Sequence, residues 1–265
     1  MATLETVDPS VLYAMFKGEP GTRKSTQALS FPTPQYWFSW DRKMSGILVP
    51  ARQWGINQKQ IEYDDYEDWT KARVKLESFQ LNCPYKTLIF DSITSCADMS
   101  IRQVMKIKGG GKDNKGKQIG GIPVAGLEEF NAESSALQEL ISLTKDISSF
   151  HKVNVILIAH VIQAEYRSVG GETHMSRTIV TAAKRVAAKI PAYCQEVYHF
   201  NIKKGFDADA GGRYALLTTH TGDDFARTSL GLDREIIFDD NPLYERWILP
   251  AIEKMKTNPT TTTKF

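Results

Sequence analysis

Short apolar runs alternate with amphipathic stretches along the chain, and this pattern predicts an α/β fold around a largely parallel sheet. The first run, residues 11–16, leads into the glycine-containing stretch Gly18-Glu19-Pro20-Gly21-Thr22-Arg23-Lys24-Ser25-Thr26. A short helix is expected next, closed before Pro32 and Pro34, because proline cannot extend the backbone ladder. Residues 36–40 predict a second strand closed by Asp41, and residues 87–90 a third that ends in Asp91-Ser92. Between them, residues 64–79 predict a helix with Asp64, Asp65, Glu67 and Asp68 at its positive N-terminal end. Phe130, Leu137, Leu140, Ile141, Ile147 and Phe150 recur at helical spacing over residues 128–150. The β-branched run 153–159 predicts a strand ending at His160. Residues 197–203 and 214–219 predict two later strands, arranged as a hairpin around residues 207–212. A helix beginning near Thr178 would place Lys184, Arg185 and Lys189 on one face and Ile179, Ala183, Val186 and Ile190 on the other.

Two segments break the alternation. Residues 106–126 contain seven glycines, and residues 163–177 centre on Gly170-Gly171. Both are expected to be irregular, and irregular stretches this long inside a domain are commonly functional. The chain lacks an internal repeat of solenoid length. Residues 1–256 read as one domain and residues 257–265 as a flexible tail.

Composition narrows the class. The 265 residues are 42% hydrophobic and 24% charged, which excludes disorder over the whole length. No apolar run approaches the ~20 residues of a spanning helix, and the N-terminus carries no basic flank before a long apolar core. The expectation is a cytoplasmic protein without a membrane partner. Cys83, Cys96 and Cys194 are odd in number and widely spaced, which fits reduced thiols rather than a disulfide framework or zinc site. Thirty-three basic against 31 acidic residues leave a net charge of +2, so nucleic-acid affinity depends on where the charge lies.

The stretch 18–25 has the form of a phosphate-binding loop between a strand and a helix. Backbone N–H groups of such a loop curl around phosphate, Lys24 would reach the β/γ-phosphates and Ser25 would complete a Mg²⁺ shell. Arg23 stands where a glycine is expected. Its Cβ could strain the loop or crowd the phosphate, while Gly21 supplies backbone freedom. Alternatively, Arg23 points outward to solvent or to a neighbouring subunit. A Pro-Gly turn with a surface Lys-Ser would carry the same letters. However, Asp91 ends an apolar strand 67 residues after Lys24, where a second nucleotide motif would hold Mg²⁺ through water.

With these residues in view, the chain resembles the RecA-like P-loop ATPase core. It resembles in particular the phage-encoded RecA-like nucleotide-binding proteins that act in single-strand annealing or recombination. The resemblance spans residues 11–237 and rests on the phosphate loop, Phe31-Pro32, the strand ending at Asp41, Leu88-Ile89-Phe90-Asp91-Ser92 and Ile158-Ala159-His160. It implies a mainly parallel central sheet flanked by helices, with a C-terminal antiparallel hairpin. It also implies an ATPase with ATP and Mg²⁺ held by residues 18–26 and Asp91. Asp41 would be the general base, although a helix or turn cap explains it equally well. His160 would sense the γ-phosphate, against a structural reading of a strand-end histidine. Arg227 is the first candidate for a basic residue reaching an adjacent subunit's site, with Lys203 and Lys204 behind it.

Single-stranded DNA is the partner that the charge pattern and the resemblance imply together. Arg102, Lys106, Lys108, Lys112, Lys115 and Lys117 face one acid, Asp113, with glycines interleaved. Lysines neutralise phosphates and glycines let the backbone follow an irregular strand. A second DNA loop would carry Tyr166, Arg167, His174 and Arg177, with Tyr166 stacking on a base. The resemblance further implies a homo-oligomer with ATP at its subunit interfaces, and a single-strand-binding protein as an additional partner. A switch module that scarcely hydrolyses nucleotide, a P-loop helicase loader and a small-molecule kinase are the competing readings. The kinase is ranked last because the glycine-lysine segment is poor in arginine.

Overall fold

A computed structural model describes residues 8–107, 118–119, 122–123, 125–167, 173–181, 184–203, 212–222 and 224–257. The chain runs β1 (Tyr13–Gly18), α1 (Lys24–Ala28), β2 (Gln35–Ser39), α2 (Leu48–Gln53), β3 (Ile61–Asp65), α3 (Trp69–Leu81) and β4 (Thr87–Asp91). It continues with α4 (Ile93–Ile107), the two-residue strands β5 (Gln118–Ile119) and β6 (Ile122–Pro123), and α5 (Leu127–His151). Then come β7 (Asn154–Arg167), β8 (Thr173–Ile179), α6 (Lys184–Lys189), β9 (Glu196–Lys203), β10 (Arg213–Leu217), β11 (Glu235–Ile237) and α7 (Leu249–Thr257).

The main sheet has the order β11-β10-β9-β1-β7-β4-β2-β3, with β8 added to β7. β1, β2, β3, β4, β7 and β9 pair in parallel, whereas β10 lies antiparallel between β9 and β11. This is the expected α/β architecture, with a mostly parallel sheet and antiparallel C-terminal strands. β1 shows why the sheet is covered on both faces. Tyr13 and Met15 enter the core beneath α3, α4 and α5, while Leu12, Ala14 and Phe16 enter the core shared with α1, α2 and α7. Phe38 stacks on Phe90 across β2 and β4 with centroids 4.6 Å apart and planes 8° from parallel.

Several expectations change. Asp64 and Asp65 belong to the edge strand β3, and the helix behind them starts later. Asp68 caps α3 by accepting the Lys71 N–H at 2.9 Å. The strand read as ending at His160 runs on to Arg167 and turns back antiparallel as β8, so much of residues 163–177 is a hairpin rather than an irregular loop. Thr178 lies in β8, and the following helix is only Lys184–Lys189. After β11, a π-helical turn at Tyr244–Ile248 and α7 close the second core through Ile248 and Ile252. No helix among the described residues is long and apolar enough to cross a membrane.

Candidate active site

β1 delivers the phosphate loop to the carboxyl edge of the sheet, between β7 and β9. The chain then crosses to β2, beyond β7 and β4, which opens the kind of crevice where ligands of parallel sheets lie. Gly18 is required there by close approach: a Cβ would stand 2.4 Å from the Phe200 carbonyl oxygen on β9. Gly21 has φ +82°, a left-handed conformation that favours glycine.

Arg23 also has a left-handed backbone, φ 64°, immediately before α1. Its guanidinium leaves the loop, donates to the Asp239 carbonyl at 3.0 Å and pairs with Asp240. It also lies 3.9 Å over the Tyr214 ring. Of the options the sequence left open, the arginine is turned outward, and its partner is the C-terminal turn of its own chain. Gln27 strengthens the same junction, donating to the Asn241 carbonyl at 3.0 Å and accepting the Leu243 N–H at 2.8 Å. α1 has only five residues, so little helix dipole is available and the loop N–H groups and Lys24 must do most of the anion binding.

Lys24 is buried, and its ammonium donates to the carbonyls of Gly18 at 2.9 Å and Glu19 at 2.7 Å. Burial pulls its pKa down to about 8, against the opposing pull of Asp91, Asp41 and Glu19. Asp91 faces the Ser25 side of the same cavity, and its carboxyl is pushed up by burial and by the nearby charge of Asp41, against the pull of Ser25, His160 and Lys24. The Asp91–Ser92 peptide is cis. His160 Nε2 lies 3.6 Å from one Asp41 oxygen, and the Ser95 hydroxyl donates to the other. Burial opposes its ionisation, but the Ser95 hydroxyl and the neighbouring His160 and Lys43 prevail and hold it below the usual carboxylate range. The His160 backbone is anchored by its main-chain N–H, which donates to Thr94 Oγ1 at 3.0 Å.

These groups surround a cavity of about 310 Å³, lined by loop residues 20–26 with Asp41, Lys43, Asp91 and His160. A larger cavity of about 920 Å³ lies beyond Ser95, lined by Trp40, Arg42, Arg102 and Lys106 among others. It contains no phosphate-loop residue, so size does not locate the chemistry.

The other candidates are dispersed. Arg227 donates to the carbonyls of Ala192 and Cys194 in its own chain and lies outside the cavity lining. Lys203 pairs with Glu235. Arg177 pairs with the buried Asp224 at 2.7 Å and approaches Glu19 at 3.9 Å. Lys106 is exposed at the end of α4. Lys108, Lys112, Lys115, Lys117 and Lys204 lie outside the described residues. Tyr166 and Arg167 lie on β7 in the hairpin, but their side chains, like that of His174, lie outside the description.

Sequence reasoning missed Ser95 and Lys43. It also missed a buried polar cluster of Lys17, His199 and Asp224 beside the loop. Burial lowers Lys17 to about 8 and, despite Asp224, His199 to about 4. A lysine ending the apolar run of β1 was the available signal.

The AAA_24 model, described as an AAA domain, matches residues 12–230, most of the chain. The chain belongs to the AAA_24 family of AAA domains. No curated protein matches it. Among solved structures it is similar to a KaiC-like protein of the hyperthermophilic archaeon Pyrococcus horikoshii OT3, at 13% identity over 80% of each chain, with a TM-score of 0.45. Membership of this P-loop family implies a nucleotide ligand together with Mg²⁺. The donor set fits such an ion: the Ser25 hydroxyl and the Asp91 carboxylate line the same cavity as Lys24, and hard oxygen donors suit Mg²⁺. The bound ion would neutralise phosphate charge, while Lys24 and the loop amides orient the phosphates.

Proposed function

We propose that this AAA domain is a Mg-ATP-dependent, RecA-like ATPase that binds single-stranded DNA and promotes annealing or strand exchange in phage recombination. The observation that carries the ATPase reading is the convergence of Lys24, Ser25, Asp91, Asp41 and His160, from four separate segments, on one cavity. In the proposed hydrolysis a water oxygen bonds to the γ-phosphorus as the bond to the ADP oxygen breaks. That oxygen leaves with the bonding electrons, and Asp41 accepts the proton of the water. His160 would report the γ-phosphate to the hairpin, because both lie on β7.

The DNA reading is supported by the basic run 102–117, which begins within α4, and by the β7–β8 hairpin, which continues β7 beyond the nucleotide-binding edge of the sheet. A homo-oligomer with ATP between subunits belongs to the same reading. A second reading, a nucleotide-controlled switch that hydrolyses little, is favoured by one observation. Both Asp41 oxygens are already engaged, one by His160 and one by Ser95.

Steady-state ATP turnover with and without single-stranded DNA separates the two readings. The ATPase reading expects DNA-stimulated turnover that Lys24→Ala abolishes. It also expects charge reversal at Lys108, Lys112, Lys115 and Lys117 to weaken DNA binding and flatten its salt dependence. Absence of turnover with intact ATP binding selects the switch, and unchanged DNA affinity removes the lysine run from the interface.

A further inference from the structure

We infer that Lys43 is a second phosphate-binding cation of this cavity, supplied by the same chain and directed at the terminal phosphate of ATP. The inference rests on reading the cavity as an ATP site. Three cationic side chains line it: Arg23, Lys24 and Lys43. Arg23 is committed to Asp239, Asp240 and Tyr214, and Lys24 rises from the floor of the loop. Lys43 enters from the segment after β2, two positions beyond Asp41, and so from the side of the cavity that holds the candidate base.

The local backbone explains why Lys43 rather than its neighbour serves this wall. Arg42 adopts a left-handed conformation, φ 53°, and pairs with Glu67 at the larger cavity on the far side. Lys43 then accepts the Gly46 N–H on its carbonyl at 2.9 Å, anchoring the single helical turn Met44–Ile47. Gly46 and Ile47 of that turn line the cavity with it. The Lys43 side chain is exposed and has no acidic partner within ion-pair distance among the described residues, so its ammonium is available to an anion.

Charge in phosphoryl transfer spreads over the oxygens of the transferring group, and a prearranged cation beside that group favours its departure. The other basic candidates cannot do this from their positions in the chain. Arg227 is bonded to carbonyls elsewhere, Lys203 is paired with Glu235, and neither lines the cavity. Because Lys43 stands with Asp41 and His160, it meets the phosphate that ATP has and ADP lacks.

The experiment measures ATP and ADP affinity by calorimetry, and turnover, for wild type, Lys43→Ala, Lys43→Arg and Lys24→Ala. Lys43→Ala is expected to weaken ATP about tenfold while leaving ADP unchanged, to slow turnover by about 10²-fold, and to be largely rescued by arginine. Equal effects on ATP and ADP, or none on either, would overturn the assignment. The Lys24→Ala arm separates this from failure of the site itself: if that variant keeps normal affinity for both nucleotides, the cavity is not the ATP site. Thermal unfolding of Lys43→Ala is expected to match wild type, since the side chain is exposed.

Discussion

Replacing Arg23 with alanine and, separately, with glycine separates two demands made on one position. The side chain tethers the phosphate loop to the C-terminal turn, and the backbone must hold φ 64°. Both replacements lose the tether. Its hydrogen bond to the Asp239 carbonyl contributes ~0.5–1.5 kcal/mol, and the Tyr214 face ~0.5–1 kcal/mol. The ion pair adds only ~0–1 kcal/mol, because Asp240 is 84% exposed. Arg23→Ala is therefore expected to cost about 1–3 kcal/mol. Glycine loses the same contacts but sheds the left-handed strain, ~1–2 kcal/mol for a residue with a Cβ. It returns ~0.5–1 kcal/mol of that through the greater freedom of the unfolded chain. Arg23→Gly should then be more stable than Arg23→Ala by about 0.5–1 kcal/mol. Urea midpoints at constant m measure the difference directly. A glycine variant no more stable than alanine would refute the strain, and an alanine variant matching wild type would refute the tether.

The pH response of Lys24 has opposite signs for binding and for stability. With its pKa near 8, ATP affinity is expected to fall about tenfold per pH unit above pH 8, read by calorimetry between pH 7 and 9.5; a flat profile would contradict the burial shift. Lys17 and Lys24 both titrate near 8 when folded and at ~10.4 when unfolded, so between those values the unfolded chain binds more protons and stability from these groups rises with pH. Gly18→Ala should force β1 from β9, because its Cβ would meet the Phe200 oxygen at 2.4 Å, with a loss of ~1–3 kcal/mol and weakened nucleotide binding. An unchanged urea midpoint would count against that close approach.

What could be read from the chain follows burial. β1, β2 and β4 are apolar runs because the sheet is covered on both faces, and each was legible as a strand ending at the site. β3 was not legible: it is an edge strand, largely exposed, and its acidic letters mimic the start of a helix. In the β7–β8 hairpin the buried pair Val161–Ile179 stays at the root while the next residue, Ile162, is exposed, so the apolar pattern that marks β7 stops near His160. The site divides along the same line. Lys24, Asp41, Asp91 and His160 were legible because each ends or follows a buried apolar run. Ser95 and Lys43 depend on β2 lying beside β4 with Ser39 opposite Asp91, a pairing between distant segments that no local pattern specifies.

That pairing also determines how nucleotide and hairpin can communicate under the proposed reading. β7 is a central strand as far as His160, where it pairs with Gly18, and from Val161 onward it pairs with β8. The root of the hairpin is therefore tied to the site by His160 near Asp41, by Arg177 near Glu19 and by Lys17, which donates to the Arg177 carbonyl at 3.5 Å. A ligand shifts a hairpin only by what it changes in such contacts, and couplings of this kind amount to ~1–3 kcal/mol. The Arg177–Glu19 approach is long and partly exposed, worth ~0–1 kcal/mol at most. Of these contacts only His160–Asp41 lies in the cavity lining, where a γ-phosphate would have to share or replace it, so the nucleotide-dependent part of the coupling is expected to pass through it. Exchanging His160 for asparagine is therefore expected to uncouple DNA affinity from nucleotide state more completely than removing Glu19, and the reverse order would place the link in the loop instead.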